Sequence, residues 1–220
     1  MTKKALIVGG SSGLGLALAQ LLVNDHEVTV TGRRNPEIAN LQFRYLELGG
    51  DLLRADLDLF VSELSEIDLV VYAAGFFQEG TISDLLDADI EKMNRVGLLA
   101  PEMLLQRLLR KQSNLPGFIA ITSTSQWTPR LLEPVYTAVK SGLGMLASSI
   151  SLDDRVGKVL VLGPAGMRTR FWEEDGRDTS DMLDPEWVAT ETLKLWDKDF
   201  EYMFARALRN KPRVEIVETR

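Results

Sequence analysis

Ala5-Leu6-Ile7-Val8-Gly9-Gly10-Ser11-Ser12-Gly13-Leu14-Gly15 passes from an apolar run of strand length into a turn crowded with glycine. Leu14 to Val23 follows, rich in Leu and Ala and bounded by Asn24-Asp25, and reads as a helix. Glycines allow the chain to turn tightly and let its backbone approach a pyrophosphate with no Cβ in the way. The next helix aims its free N–H groups and positive dipole end at the same place. Many plain strand–helix turns are also Gly-rich, so the cluster has meaning only in context. Here the context is the required one, a strand before and a helix after. The expected phosphate contacts are Gly9, Ser11, Ser12, Gly13, Leu14 and Gly15.

Outward from this turn the same alternation continues. Val28–Thr31 is β-branched and stops at Gly32, Phe43–Leu48 stops at Gly49-Gly50, and Asp68–Ala74 stops at Gly75. Each is expected to be a strand. Phe118–Thr122, Lys158–Leu162 and Arg213–Val217 bring the expected number to about seven. Asp56–Leu64, Val135–Leu152 and Val188–Trp196 have helical patterns, and so does the long stretch Leu85–Arg110, in which Pro101 predicts a kink or break. Short apolar strands each followed by a helix indicate a parallel sheet buried on both faces. The expected fold is therefore α/β, a doubly wound, mostly parallel sheet of the Rossmann type with helices on both faces, in one domain over 1–220. Only 168–184 lacks a clear pattern. It holds Phe171-Trp172 and the acidic run Glu173-Glu174-Asp175, and is expected to be a lid over a site.

Composition narrows the function. The 220 residues carry a net charge of -7, no Cys and a single His. One or two domains fit that length at roughly 100–200 residues each. Without Cys there is no disulfide framework, thiolate zinc site, iron–sulfur cluster or cysteine nucleophile. His26 has no ligand-spaced neighbours, so no metal is expected. An acidic balance with no compensating basic stretch argues against nucleic acid. Apolar runs such as Leu69–Phe77 are too short to cross a membrane, and the start Met1-Thr2-Lys3-Lys4 is too short for a signal peptide. A cytoplasmic protein without nucleic-acid or membrane partners is the expectation.

The second strand ends Val30-Thr31-Gly32-Arg33-Arg34. A dinucleotide site that prefers NAD places an acid there for the adenosine ribose hydroxyls; Arg33 and Arg34 suit a 2′-phosphate, so NADP(H) is expected ahead of NAD(H). Farther on, Tyr136 and Lys140 lie four apart in an expected helix and share a face. A nearby ammonium favours the phenolate and moves a tyrosine toward useful acid–base work. Ser123, at the end of the fifth strand, lies at the carboxyl edge of the sheet where such folds bind ligands.

Together these residues resemble the short-chain dehydrogenase/reductase family over nearly the whole chain. Val8-Gly9 to Gly15 is similar to its T-G-x-x-x-G-x-G turn, with Val8 in place of Thr. Tyr136 and Lys140 match its Y-x-x-x-K pair, Ser123 its serine thirteen positions earlier, and Asn94 its helical Asn. The resemblance implies hydride transfer between a nicotinamide and a carbonyl or alcohol carbon. In it Tyr136 is the acid or base, Lys140 holds the nicotinamide ribose, Ser123 orients the substrate oxygen and Asn94 supports a proton relay. It further implies that Ala73, Ala74 and Gly75 lie along adenosine, with Tyr72 in place of an Asn that ties strands together. Pro164 matches the family's Pro-Gly after the sixth strand, with Ala165 in place of Gly and a place beside the cofactor implied, and Met167 and Thr169 are implied to meet the carboxamide. For the adenine, Glu47-Leu48 fits the end of the third strand, with Asp51-Leu52 as the rival.

Gln126-Trp127, Leu131, Phe76-Phe77 and Phe171-Trp172 are expected to line an apolar pocket for a small carbonyl or alcohol substrate. Leu104, Leu105, Leu108 and Leu109 form a stripe read as core packing, or as the seam of the homodimer or homotetramer that the resemblance implies. The competing function is a non-catalytic NAD(P)-sensing or binding module on the same fold.

Overall fold

A computed structural model describes residues 2–169, 172 and 178–220. Its strands are β1 (Lys3–Val8), β2 (His26–Gly32), β3 (Leu41–Tyr45), β4 (Leu69–Tyr72), β5 (Leu115–Ile121), β6 (Val156–Pro164), β7 (Tyr202–Leu208) and β8 (Arg213–Thr219). They form one sheet in the order β3-β2-β1-β4-β5-β6-β7-β8. Pairing is parallel as far as β7; β8 runs antiparallel to β7 with a register shift between Phe204 and Ala205. The helices are α1 (Gly13–Leu22), α2 (Leu53–Glu63), α3 (Asp87–Asn94), α4 (Ala100–Lys111), α5 (Pro134–Ile150) and α6 (Pro185–Trp196).

Ala5–Val8 of β1, the whole of β4, Phe118–Ile121 of β5 and Val159–Leu162 of β6 are apolar runs because both faces are covered there. Ala5, Ile7, Val71 and Leu160 pack on one side with Leu18 of α1 and Val188 and Ala189 of α6. Leu6, Val70, Phe118 and Val159 pack on the other with Leu57 of α2, Leu104 and Leu108 of α4, and Leu143 of α5. The leucine stripe of α4 is thus core. The strand order reverses between β1 and β4, and a sheet of this kind opens its ligand crevice there, beyond the carboxyl ends of the strands.

Three expectations change. The third strand lies at Leu41–Tyr45 rather than Phe43–Leu48, which frees Leu46-Glu47-Leu48 to turn toward that crevice. An additional strand, β7, went unread because Arg206 interrupts its apolar pattern; Arg206 is accommodated by an ion pair to Glu215 of β8 at 2.9 Å. The long helix does not merely kink at Pro101. Between α3 and α4 the chain makes a wider, π-helical turn over Arg95–Leu99.

Candidate active site

The glycine turn is shaped by close approach of backbone to backbone. Gly9 has φ +82°, and a Cβ on it would stand 2.6 Å from the Ala74 nitrogen. A Cβ on Gly15 would stand 2.3 Å from the Gly9 carbonyl oxygen. Ser12 begins α1 with extended backbone and makes no side-chain cap, and the first turn carries no acid. Unoccupied N–H groups, a positive helix end and no competing carboxylate suit a pyrophosphate, so these residues fit a dinucleotide.

A cavity of about 660 Å³ leads away from this turn. At one end it is lined by Arg33, Leu46, Glu47 and Leu48, then by Gly9, Ser11 to Gly15 and Ala73 to Gly75. Pro164, Met167 and Thr169 also line it, Thr169 close enough to the glycine turn that a Cβ on Gly13 would stand 3.1 Å from its methyl, and so do Ser123, Tyr136 and Lys140. Glu47 is on the wall, whereas Asp51 forms an ion pair with Arg95 at 2.5 Å. Arg34 is exposed and is not part of the wall, a correction to its expected place beside Arg33. A Cβ on Gly32 would come within 2.1 Å of the Ser11 hydroxyl, so an acid there would collide with the glycine turn as it stands.

At the reactive end, Ser123 follows β5 with extended backbone and caps the short turn Thr124–Gln126. Its hydroxyl accepts the Ser125 N–H at 3.1 Å. Pro134 starts α5 and sets Tyr136 and Lys140 on the face toward the cavity. Lys140 is 4% exposed, and its ammonium donates to the Ile121 carbonyl at 3.1 Å. Burial draws its pKa down to about 8. The Tyr136 ring lies 5.7 Å from that ammonium and stands edge-on to Phe77 at 5.0 Å. Burial pushes the Tyr136 hydroxyl far above the ordinary tyrosine range. A hydrogen bond with Ser123 opposes this, the Glu133 charge reinforces it and the Arg130 charge opposes it. Ser123, Tyr136 and Lys140 are therefore brought together.

Asn94 is not. It closes α3 with its side chain exposed and donating to the Ile90 carbonyl at 2.8 Å, away from the cavity wall. The wide turn begins at the next residue. There the Ala100 N–H bonds to the Arg95 carbonyl, one residue farther back than in an α-helix. By the same pattern Val96 would pair with the nitrogen of Pro101, which has no hydrogen. Its carbonyl instead accepts the hydroxyl of Tyr72, fully buried at the end of β4. Tyr72 is thus the tie between β4 and the helical layer at a point where Val96 lines the cavity.

The expected apolar pocket is also corrected. Trp127 fills the space above Gly163 and packs on Phe204 at 5.3 Å, Gln126 lies against Gly144, and Leu131 is 81% exposed. Phe76, Phe77 and Trp172 do line the cavity, joined by Ser125, Arg130 and Glu133, which no sequence motif announced. Phe171 and Glu173-Glu174-Asp175 lie outside the described residues. The ends of 168–184 are tied to each other through an Arg168–Asp184 ion pair at 2.9 Å and pairing of Met167 with Leu183. Among the described residues no group of acids and His could hold a metal, and no helix is long and apolar enough to cross a membrane.

Known proteins are similar to this chain in sequence and in fold. The sequence model of the family described as short chain dehydrogenase matches residues 3–180. Carbonyl reductase family member 4 of Xenopus laevis is 25% identical, covering 91% of this chain and 93% of that protein. The uncharacterized oxidoreductase YmfI of Bacillus subtilis (strain 168) is 24% identical over 83% of this chain and 78% of its own. Among solved structures, a short chain dehydrogenase/reductase family protein superposes with a TM-score of 0.81 at 19% identity, covering 93% of this chain and 94% of its own. A short-chain dehydrogenase from Sphingobium yanoikuyae in complex with NADPH gives 0.79 at 18% identity, covering 93% and 87%. With the family's own sequence pattern running through β1 to β6 and ending beyond the reactive cluster, the chain belongs to the short-chain dehydrogenase/reductase family of oxidoreductases.

Proposed function

We propose that this protein is an NADP(H)-dependent oxidoreductase that interconverts a carbonyl and an alcohol on a small substrate. The observation that carries the reading is that the glycine cradle and the Ser123–Tyr136–Lys140 cluster share one cavity. A bound nicotinamide would supply the hydride. Gly9 to Gly15 would hold its pyrophosphate, Glu47-Leu48 and Ala73 to Gly75 its adenosine, Lys140 its ribose, and Met167 and Thr169 its carboxamide, with Pro164 beside the cofactor. Tyr136 gives a proton to the substrate oxygen in reduction and takes it back in oxidation, with Ser123 fixing that oxygen in place. A tyrosine held protonated by burial suits the reductive direction. The substrate would lie against Phe77 and Trp172, with its polar part toward Ser123. A purely sensing module would have no use for this cluster, which disfavours that alternative. A cytoplasmic homo-oligomer belongs to the same proposal.

For NADP(H), the support is Arg33 on the cavity wall and the lack of room for an acid at Gly32. Neighbours of this fold are described with either cofactor, one a serine dehydrogenase complexed with NADP+ and another a 4-hydroxyisoleucine dehydrogenase complexed with NADH. Titration with each reduced cofactor, read by energy transfer from the four Trp residues, tests the choice. NADPH is expected to bind at least about tenfold more tightly than NADH, and Arg33→Ala to erase most of that gap, as loss of a charged hydrogen bond worth roughly 1.5–3 kcal/mol requires. Preference for NADH would overturn the cofactor choice, and binding of neither would overturn the oxidoreductase mechanism.

A further inference from the structure

A chain of polar groups leads from Ser123, in the cluster around Tyr136, toward solvent. Ser123 donates to the Ser125 hydroxyl at 3.3 Å, and Ser125 donates to Glu133 Oε2 at 2.6 Å. The Ser123 oxygen accepts the Ser125 N–H, and the bond between Ser123 and Tyr136 favours the phenolate, to which the Ser123 hydroxyl can donate. The Ser123 and Ser125 hydroxyls both point toward the Glu133 carboxylate. Ser125 is only 3% exposed, whereas the Glu133 side chain keeps 16% of its surface in solvent. The chain is therefore dry in the middle and wet at its end.

The geometry points to Glu133 as the outlet of a proton relay, with Ser125 as its middle link, through which Tyr136 exchanges protons with water between turnovers. This relay rests on the hydride-transfer reading above. Ser125 and Glu133 touch no reacting atom; they act through Ser123 as relay and positioning residues. In reduction the Tyr136 O–H bond breaks and its proton passes to the substrate oxygen. To restore Tyr136, the Glu133 carboxylate takes a proton from solvent and the two hydroxyls turn about toward Tyr136; the phenolate then takes the Ser123 proton, Ser123 takes that of Ser125, and Ser125 takes that of Glu133, which returns to the carboxylate. Oxidation runs the series backwards. One proton enters or leaves per turnover and every group in the chain is restored.

Several charged groups face this outlet. Arg130, on the same loop, stands 3.6 Å from the Glu133 carboxylate and is itself held by Thr124 at 3.2 Å. Tyr136 and Lys140 face it from α5, and Asp178, Asp181 and Arg209 line the cavity they share. Burial draws Lys140 down to about 8, so it titrates on the alkaline side.

The test is reduction of 9,10-phenanthrenequinone, an aromatic diketone, by NADPH from pH 5 to 9. Glu133→Gln, which cannot release a proton, is expected to lower kcat at least about tenfold with KM little changed and to flatten the acid range of the kcat profile. Glu133→Asp restores part of the rate and the pH dependence. Ser125→Ala cuts the chain with its outlet intact and is expected to lose kcat to a similar extent, which keeps the test open if the Gln variant does not fold. NADPH binding by energy transfer stays unchanged in all three. A Glu133→Gln protein that keeps the wild-type kcat and profile overturns the relay, as does a loss of rate that leaves the profile unaltered. A wild-type protein that binds NADPH but reduces neither this diketone nor a panel of simple ketones and aldehydes overturns the reductase reading, and the relay with it.

Discussion

The two ends of the cavity are built by opposite means. At the glycine turn the proposed function rests on atoms that are missing: Gly9 and Gly15 leave backbone packed on backbone where any Cβ would collide. At the other end it rests on atoms that are present, the hydroxyls of Ser123 and Tyr136 and the ammonium of Lys140, held on a helix and a strand end. The first region should fail when something is added, and the second when something is taken away. Each failure should leave the other end working.

The sharpest test of that separation is Tyr136→Phe. Loss of one oxygen is expected to cut kcat by roughly 10²–10⁴, the usual contribution of a positioned acid–base group. NADPH affinity should stay within about twofold, as read by energy transfer, if a truncation at one end spares the other. A large loss of affinity would mean that the two ends are one unit. Next in size is Gly9→Ala. A methyl at φ +82° and 2.6 Å from the Ala74 nitrogen strains both segments. With strain of roughly 1–3 kcal/mol, NADPH binding should weaken at least about fivefold while the fold by circular dichroism remains. Wild-type affinity in this variant would break the comparison, because the turn would then tolerate the added atom. The smallest effect lies between the two ends. Tyr72→Phe leaves the Val96 carbonyl buried without a donor, which costs about 1–3 kcal/mol. Thermal unfolding should shift down by a few degrees, at roughly 2–4 °C per kcal/mol for a domain of this size, with little change in either function.

Much of this was legible because it is local. A strand, a glycine turn and a helix follow one another directly in the chain, and Tyr136 and Lys140 share a face simply through helical spacing. Asn94 shows where such reasoning stops. It is placed by resemblance alone, and nothing local in the sequence says that its side chain turns back to the Ile90 carbonyl at the end of α3. Trp127, next to the reactive serine's turn, was drawn instead into the space left by Gly163, where a Cβ would stand 2.7 Å from its ring. β7 depends on Glu215 in the neighbouring strand to neutralise Arg206, and Ser125 meets Glu133 only because the intervening loop folds back. These are contacts of the tertiary structure, with no periodicity to betray them.

The bond between Tyr72 and the Val96 carbonyl has a consequence for how this chain can change over generations. Proline at position 101 deprives that carbonyl of its helical partner, and the tyrosine supplies the replacement. Neither substitution is neutral alone. Losing the tyrosine first strands a buried oxygen, and losing the proline first lets the helix rewind and removes the reason for the hydroxyl. The two positions form one heritable unit although they lie in different layers. Descendants that keep this proline should keep a hydroxyl donor on β4, and those that lose it should be released to place another residue there.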